Sequence, residues 1–213
     1  MLKKRMFFVA FCITVSFCLF VCYLFNPTYA ATVQSQNFIQ QDSYSGQLIS
    51  DDGHVVYVPV KMKEFNQPTD ENGLLKSEYE YYLTGDDFSQ SNSAYDGSYA
   101  VKGTVTLYYK KKSEKSKEYY CLKSVKVSWK ILSKSVLVTK AHVVCGCSST
   151  MPPVTQTYEK DVKTSGSLIQ TGFSKYVPDA PFAGCGAHST YYLKQSGSNR
   201  TWTFKVTSTL ISN

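Results

Sequence analysis

In three segments between residues 99 and 147, apolar side chains recur at every second position. A period of two is typical of β-strands and argues against helices in this part of the chain. Successive side chains of a strand point to opposite faces, so each such segment predicts a strand with one buried face. The segments are 99–110, 119–131 and 137–147, and together they predict an antiparallel meander. Lys123 is the one charge on the apolar side of the second segment, which predicts a strand edge or a bulge there.

A second hairpin is predicted near the C-terminus, where 191–195 and 201–210 flank a turn of Ser, Gly and Asn. Weaker strand patterns occur at 54–60, 154–158 and 167–173, and the segment 71–83 fits either a short helix or a strand. Short strands without a helical period predict an all-β fold. We expect an antiparallel two-sheet β-sandwich, Ig-like or jelly-roll-like, stapled by disulfides.

The N-terminus has the pattern of a secretory signal. A basic start at 3–5 precedes an uncharged, mostly apolar run at 6–25, and small residues suit cleavage after Ala30. An apolar run of about 20 residues can also remain as a membrane anchor. Because the basic flank stays in the cytoplasm, the rest of the chain is predicted to be secreted and extracellular, or membrane-anchored if the segment is not cleaved. The predicted organisation is a signal peptide at 1–30, an N-terminal extension at 31–52 and a single β-sandwich domain at 53–213.

Four cysteines remain beyond the signal: Cys121, Cys145, Cys147 and Cys185. An even number in an oxidising compartment predicts two disulfides, for which three connectivities exist. If residues 132–134 form the turn between the second and third strands, Cys121 lies opposite Cys145. That register favours this pair and leaves Cys147 with Cys185. A register longer by two would instead join Cys121 to Cys147.

Charge divides the chain into two unlike parts. Residues 31–100 carry 3 basic and 11 acidic side chains, a net charge of −8, whereas 101–213 carry 17 basic and 5 acidic ones, a net charge of +12. Either the two parts fold against each other, or the second leaves a basic face for an anionic partner. With 43% hydrophobic residues the chain is not a disordered one. Arg200 is the only arginine beyond the signal and no nucleic-acid motif is found, so no nucleic-acid partner is predicted.

Tyrosines stand beside lysines in the patterned segments. Tyrosine doublets at 108–109 and 119–120 put one ring on each face of a strand. A hairpin centred on residue 114 would place the outward ring of one doublet opposite the outward ring of the other, with lysines next to both. Aromatic rings beside cations bind sugar faces or anionic polymers. The predicted ligand-binding residues are Lys102, Tyr108, Lys110, Tyr120 and Lys126. Alternatively, the tyrosine pair only stabilises the sheet, by roughly 0.2 to 1 kcal/mol, and the lysine-rich loop protects its edge.

Thiols and imidazoles offer a second chemistry. Cys145, Cys147, Cys185 and His188 could hold tetrahedral zinc, and Cys185 could act as a nucleophile with His188 or His142 as base. However, the Cys-Gly-Cys spacing does not match a zinc ribbon, and exported thiols tend to oxidise to disulfides. No catalytic residue, metal ligand or cofactor is therefore predicted.

These observations predict a secreted, non-catalytic surface or envelope-associated domain that binds or supports structure. Its expected partner is an anionic or glycan cell-envelope polymer, bound by the basic, tyrosine-rich face. The alternative is a secreted antibacterial or membrane-active effector, and a further alternative is a cysteine or zinc enzyme. No stable membrane span is expected after signal cleavage, and the oligomeric state stays open.

Overall fold

The computed structural model of the protein describes residues 45–65, 73–84 and 99–211, and these form an all-β fold. The predicted signal at 1–30 lies outside the described residues. Within the described ranges, no helix has the length and apolar character needed to cross a bilayer. The strands of these ranges are β1 (Ser45–Ser50), β2 (Val55–Phe65), β3 (Leu75–Thr84), β4 (Tyr99–Glu114), β5 (Lys117–Ile131), β6 (Val136–Ser149), β7 (Val154–Val162), β8 (Ser167–Gln170), β9 (Val177–Pro178), β10 (Ala183–Gln195) and β11 (Thr201–Thr209).

The strands form one antiparallel sheet, so the predicted two-sheet sandwich, Ig-like or jelly-roll-like, is wrong. Ten of them follow the order β7-β6-β10-β11-β1-β2-β3-β4-β5-β8, and the short β9 pairs with β5 beside this path. The sheet curls until it is nearly closed into a barrel. Strand β2 makes it continuous, because its first half pairs with β1 and its second half pairs with β3. A sandwich would need a break between two sheets at this place, and β2 runs without interruption for 11 residues.

The three alternating segments are strands, but they do not form the predicted meander. β4 and β5 pair through a tight turn at Lys115 and Ser116, which both have positive φ. β6 pairs with β10 and β7 instead of β5. After Ile131 the chain therefore passes from one end of the strand order to the other. Alternation in the sequence defines a strand but does not say which strand pairs with it. The predicted meander is therefore wrong although its three strands are present.

The bulge at Lys123 is present. Tyr108 lies opposite Ser124 and Tyr109 lies opposite Leu122, so Lys123 is an extra residue without a partner on β4. An inserted residue reverses the alternation of faces along a strand. On β5, odd-numbered and even-numbered residues therefore exchange faces at Lys123. This exchange determines which side chains of β5 reach the outer surface.

Aromatic rings fill the centre of the barrel. The predicted C-terminal hairpin is confirmed as β10 and β11, and it sends Tyr191 and Phe204 into the core. The ring centroid of Tyr81, on β3, lies 5.4 Å from that of Tyr191 and 4.5 Å from that of Phe204. Tyr81 is also the direct partner of Gly103 on β4, and its ring occupies the space where a Cβ of residue 103 would stand. The glycine at 103 therefore makes room for a core aromatic ring.

The remaining predicted segments contribute strands to the sheet. The segment 71–83, for which the sequence allowed a helix or a strand, contains β3. The predicted N-terminal extension, 31–52, contributes β1, which pairs with both β11 and β2. The weaker strand patterns correspond to β2, β7 and β8.

One disulfide is present among the described residues, between Cys147 and Cys185. These two are direct partners in the register of β6 and β10. Cys121 and Cys145 are buried free thiols, so the predicted bond between them is not formed. That prediction depended on pairing between β5 and β6, and the two strands are not neighbours in the sheet.

Candidate functional site

The candidate site lies on the outward face of β3, β4, β5 and β8. Direct register places four side chains of these strands in one row: Lys76, Tyr108, Ser124 and Gln170. The adjacent row on the same face is Glu78, Thr106, Lys126 and Leu168. Facing residues of antiparallel strands lie about 5 Å apart, so side chains distant in sequence share one surface here.

An open groove of about 570 Å³ lies over the part of these rows that β4, β5 and β8 contribute, and Glu78 of β3 does not line it. Its lining includes Tyr108, Lys110, Lys123, Ser124, Lys126 and Leu168. Ser124 is buried and the ring of Tyr108 is half-buried, whereas Leu168 is exposed. The groove thus combines an aromatic ring, an apolar side chain and a hydroxyl group with several ammonium groups, a mixture that suits a polar ligand with one apolar face.

The charge of the groove has one sign. Among the described residues, no carboxylate lines it. Lys110 and Lys126 form no ion pair with any residue of the described ranges, whereas the Lys102 Nζ lies 3.1 Å from a carboxylate oxygen of Glu80. A cleft lined by one sign of charge concentrates ligands of the opposite sign. The groove is therefore a site that can attract anions.

Lys123 is held at the groove by the loop that follows β8. Its Nζ donates a hydrogen bond of 2.6 Å to the carbonyl oxygen of Phe173. The amide of Thr171 donates to the carbonyl oxygen of Lys123 at 3.0 Å, and the Thr171 hydroxyl donates to the carbonyl oxygen of Leu122 at 2.8 Å. The bulge residue is thereby part of a network that orders one wall of the groove.

The structure brings together three of the five predicted ligand-binding residues: Tyr108, Lys110 and Lys126. Lys102 is not among the residues that line the groove. It lies between β3 and β5 partners Tyr82 and Lys130, with its Nζ 5.1 Å from the ring centroid of Tyr82. Tyr82 and Glu80 raise the pKa of Lys102, because both stabilise its charged form.

Tyr120 is also outside the groove, and it is 6% exposed. Its hydroxyl donates to Glu118 at 2.8 Å, and its ring centroid lies 5.9 Å from that of Tyr109. Burial, followed by Glu118, raises the pKa of Tyr120. The predicted pairing of Tyr108 with Tyr120 fails because the β4–β5 turn lies at residues 115–116 rather than at 114, and because of the bulge.

Several lining residues were not predicted. Lys123 carried a local signal, since it was the charge on the wrong face of its strand. Ser124 required the register of β5 across the bulge, and Leu168 and Gln170 required the pairing of β5 with β8. No pattern within a single segment indicates such a pairing.

The thiols and imidazoles named as catalytic or zinc candidates have other partners. Cys147 and Cys185 form the disulfide, and burial raises the pKa of Cys145 to about 11. The Nδ1 of His142 lies 2.8 Å from Asp161, and the Nδ1 of His188 lies 2.9 Å from the Thr207 hydroxyl. Within the ranges that the structure describes, no group of three His, Cys, Asp or Glu side chains is placed to hold a metal ion.

The fold and the groove together define an all-β protein with a basic, tyrosine-lined groove on the outside of a nearly closed sheet. Comparison with protein-family models, curated proteins and solved structures finds no match to this chain.

Proposed function

We propose that the protein is an exported, non-catalytic binding domain whose groove takes an anionic or glycan polymer of the cell envelope. The observation that carries the proposal is the lining of the groove, where three lysines surround Tyr108 and no described carboxylate is present. The N-terminal signal pattern supports export, because a signal of this kind directs the chain that follows it to the side of the membrane where such polymers occur.

Each part of the lining has a role in the proposed binding. The ring of Tyr108 packs against the apolar face of a sugar, which is a common use of aromatic side chains beside polar groups. Lys110 and Lys126 contact phosphate or carboxylate groups of the polymer, since neither charge is neutralised by a described residue. Lys123 contributes a further positive charge from a fixed position. Because the groove is open to solvent, an extended chain can lie along it.

The proposal is tested by sedimentation of the exported protein with purified cell-wall material. Lys110→Glu with Lys126→Glu reverses two charges in the groove, and we expect the affinity to fall by on the order of tenfold or more, with the greatest loss at low salt. The matched control is Lys205→Glu on β11, where an exposed lysine has no ion pair with a described residue. This control should bind almost as the unchanged protein does.

A third variant separates the sugar from the charge. Tyr108→Ala keeps every lysine but removes the ring, so it should weaken binding at all salt concentrations if a glycan packs on the groove. Circular dichroism and a thermal melt establish that each variant folds. Equal sedimentation of the double charge reversal and the unchanged protein would overturn the proposed function.

A further inference from the structure

Two surface turns meet at one end of β6 and β10. Ser149, at the end of β6, is the direct partner of Ala183, at the start of β10, so the turns 150–153 and 179–182 lie side by side. Between them they carry five exposed apolar residues, which we call the apolar tip: Met151, Pro152, Pro153, Pro181 and Phe182.

The fold makes no use of the two largest of these side chains. Met151 is 84% exposed and Phe182 is 83% exposed. Phe182 also has a φ of +63°, a backbone conformation that bulky residues rarely adopt and that glycine adopts without cost. Neither local backbone preference nor packing against the described residues accounts for an aromatic ring at this position, and an exposed apolar patch of this kind is typical of an interaction site.

The backbone of the apolar tip is suited to a medium that cannot hydrogen-bond. Proline has no N–H group, and three of the five tip residues are prolines. The hydroxyl of Ser149 donates to the carbonyl oxygen of Pro152 at 2.8 Å, and the amide of Ala183 donates to the carbonyl oxygen of Ala180 at 3.2 Å. The apolar tip therefore has fewer backbone N–H groups that would lose their hydration on entry into lipid than a turn without proline has.

The β4–β5 hairpin, which carries four lysines at 111–117, adjoins the second turn of the apolar tip. The amide of Asp179 donates to the carbonyl oxygen of Glu118 at 2.8 Å, which ties the second turn to the β4–β5 hairpin. The turn of that hairpin carries exposed Lys115 and Lys117, and neither forms an ion pair with a described residue. The carboxylates nearby are Glu114, Glu118 and Asp179, of which the first two are paired with Lys112 and Lys111. The four hairpin lysines thus leave a modest positive excess over these three carboxylates.

We propose that the apolar tip inserts into the headgroup region of an anionic lipid bilayer, with Phe182 and Met151 as the anchors and the hairpin lysines facing the lipid phosphates. The exposed apolar side chains of the two adjoining turns, their proline content and the neighbouring positive charge fit a lipid surface. This interaction goes beyond the proposed polymer binding, because it uses none of the groove residues.

The first test is co-sedimentation of the exported protein with phosphatidylglycerol–phosphatidylcholine vesicles and with phosphatidylcholine vesicles. Met151→Ser with Phe182→Ser should lower partitioning to the anionic vesicles at least tenfold, and the unchanged protein should prefer the anionic vesicles. Leu132→Ser is the matched control, since Leu132 is 44% exposed and lies at the opposite end of β6. The groove variant Lys110→Glu with Lys126→Glu should still bind vesicles, and the tip variant should still sediment with wall material.

A second measurement reports the apolar tip itself, whether or not residues 1–30 are retained. In Phe182→Trp, brominated lipids should quench tryptophan fluorescence beyond the quenching seen in the unchanged protein, which has Trp129 and Trp202. Leu132→Trp should show no such increase. Absence of extra quenching at position 182, or equal vesicle binding by the tip variant and the unchanged protein, would overturn the proposal and leave a protein partner as the occupant to seek.

Discussion

The side-chain amide of Gln156 forms two hydrogen bonds with the backbone of Lys175. Its Nε2 donates to the Lys175 carbonyl oxygen at 3.0 Å, and its Oε1 accepts from the Lys175 amide at 2.9 Å. The same oxygen accepts from the amide of Ser174 at 3.0 Å. Gln156 lies on β7, one terminal strand of the sheet, and residues 174–175 follow β8, the other terminal strand. A single side chain thus takes the place of ladder hydrogen bonds where the sheet does not close.

Replacing Gln156 should therefore loosen this seam. Gln156→Ala removes three hydrogen bonds, and we expect the free energy of unfolding to fall by about 1 to 3 kcal/mol. Gln156→Glu keeps the acceptor but loses the donor, so its loss should be smaller. The measurement is urea denaturation, with hydrogen exchange of the Ser174 and Lys175 amides as a local readout. Thr155→Ala, at an exposed neighbour on β7, is the control, and the seam has no role in stability if both alanine variants unfold alike.

Two strand glycines should respond in opposite ways to alanine. At Gly103 the new methyl group would overlap the ring of Tyr81, so Gly103→Ala should destabilise the protein by about 1 to 3 kcal/mol. At Gly146 no atom lies within 4 Å of the added Cβ, so Gly146→Ala should be neutral or stabilise by about 0.5 to 1 kcal/mol. Thermal and urea unfolding of the two variants give the comparison. Similar losses at both positions would contradict the packing of Tyr81 over residue 103.

Thiol labelling should distinguish the two pairs of cysteines. Cys121 and Cys145 are buried, and burial raises the pKa of Cys145 to about 11, so iodoacetamide at pH 8 should leave the folded protein unlabelled. In denaturant without reductant, protein that begins after Ala30 should take up two labels, because only Cys147 and Cys185 are bonded. Intact mass counts the labels. Finding none in denaturant would mean that Cys121 and Cys145 are also joined, as the sequence pattern predicts.

Acid should remove a stabilising contribution of Asp161. The hydrogen bond with His142, and next the one with Lys140, lower the pKa of the Asp161 carboxyl in the folded protein. A carboxyl with a lowered folded pKa stabilises the protein above its unfolded pKa of about 3.9, and this is lost as the pH falls through the folded pKa. Asp161→Asn should thus melt slightly below the unchanged protein at pH 6, and the two should converge as the pH falls below about 4.

The control for this experiment is Asp179→Asn, which removes an exposed carboxylate that has no ion pair with a described residue. Its melting temperature should follow that of the unchanged protein across the same range. A gap between Asp161→Asn and the unchanged protein that widened toward low pH would contradict the sign of the effect.

Part of the candidate site was predictable from local pattern. Tyr108, Lys110 and Lys126 were placed on an outward face by alternation alone, and all three line the groove. Tyr120 was misplaced because one inserted residue, Lys123, reverses the alternation between it and the rest of β5. The sequence indicated the irregularity at Lys123, but the position of the β4–β5 turn determines which residues face each other across it.

The sequence by itself determined that the protein is all-β and where its long strands run, but not how the strands are arranged, because a period of two is imposed by the geometry of each strand alone. The need for glycine at residue 103 follows only from the pairing of β3 with β4, which lays the ring of Tyr81 over that position. The tertiary structure decided that β6 pairs with β10, which joins Cys147 to Cys185. As a result β6, which carries Cys145, does not pair with β5, which carries Cys121. The tertiary structure likewise decided that β8 completes the groove beside β5. Backbone hydrogen bonds are the same for every strand, so the choice of neighbour depends on how all the buried side chains pack together, and no single segment contains that information.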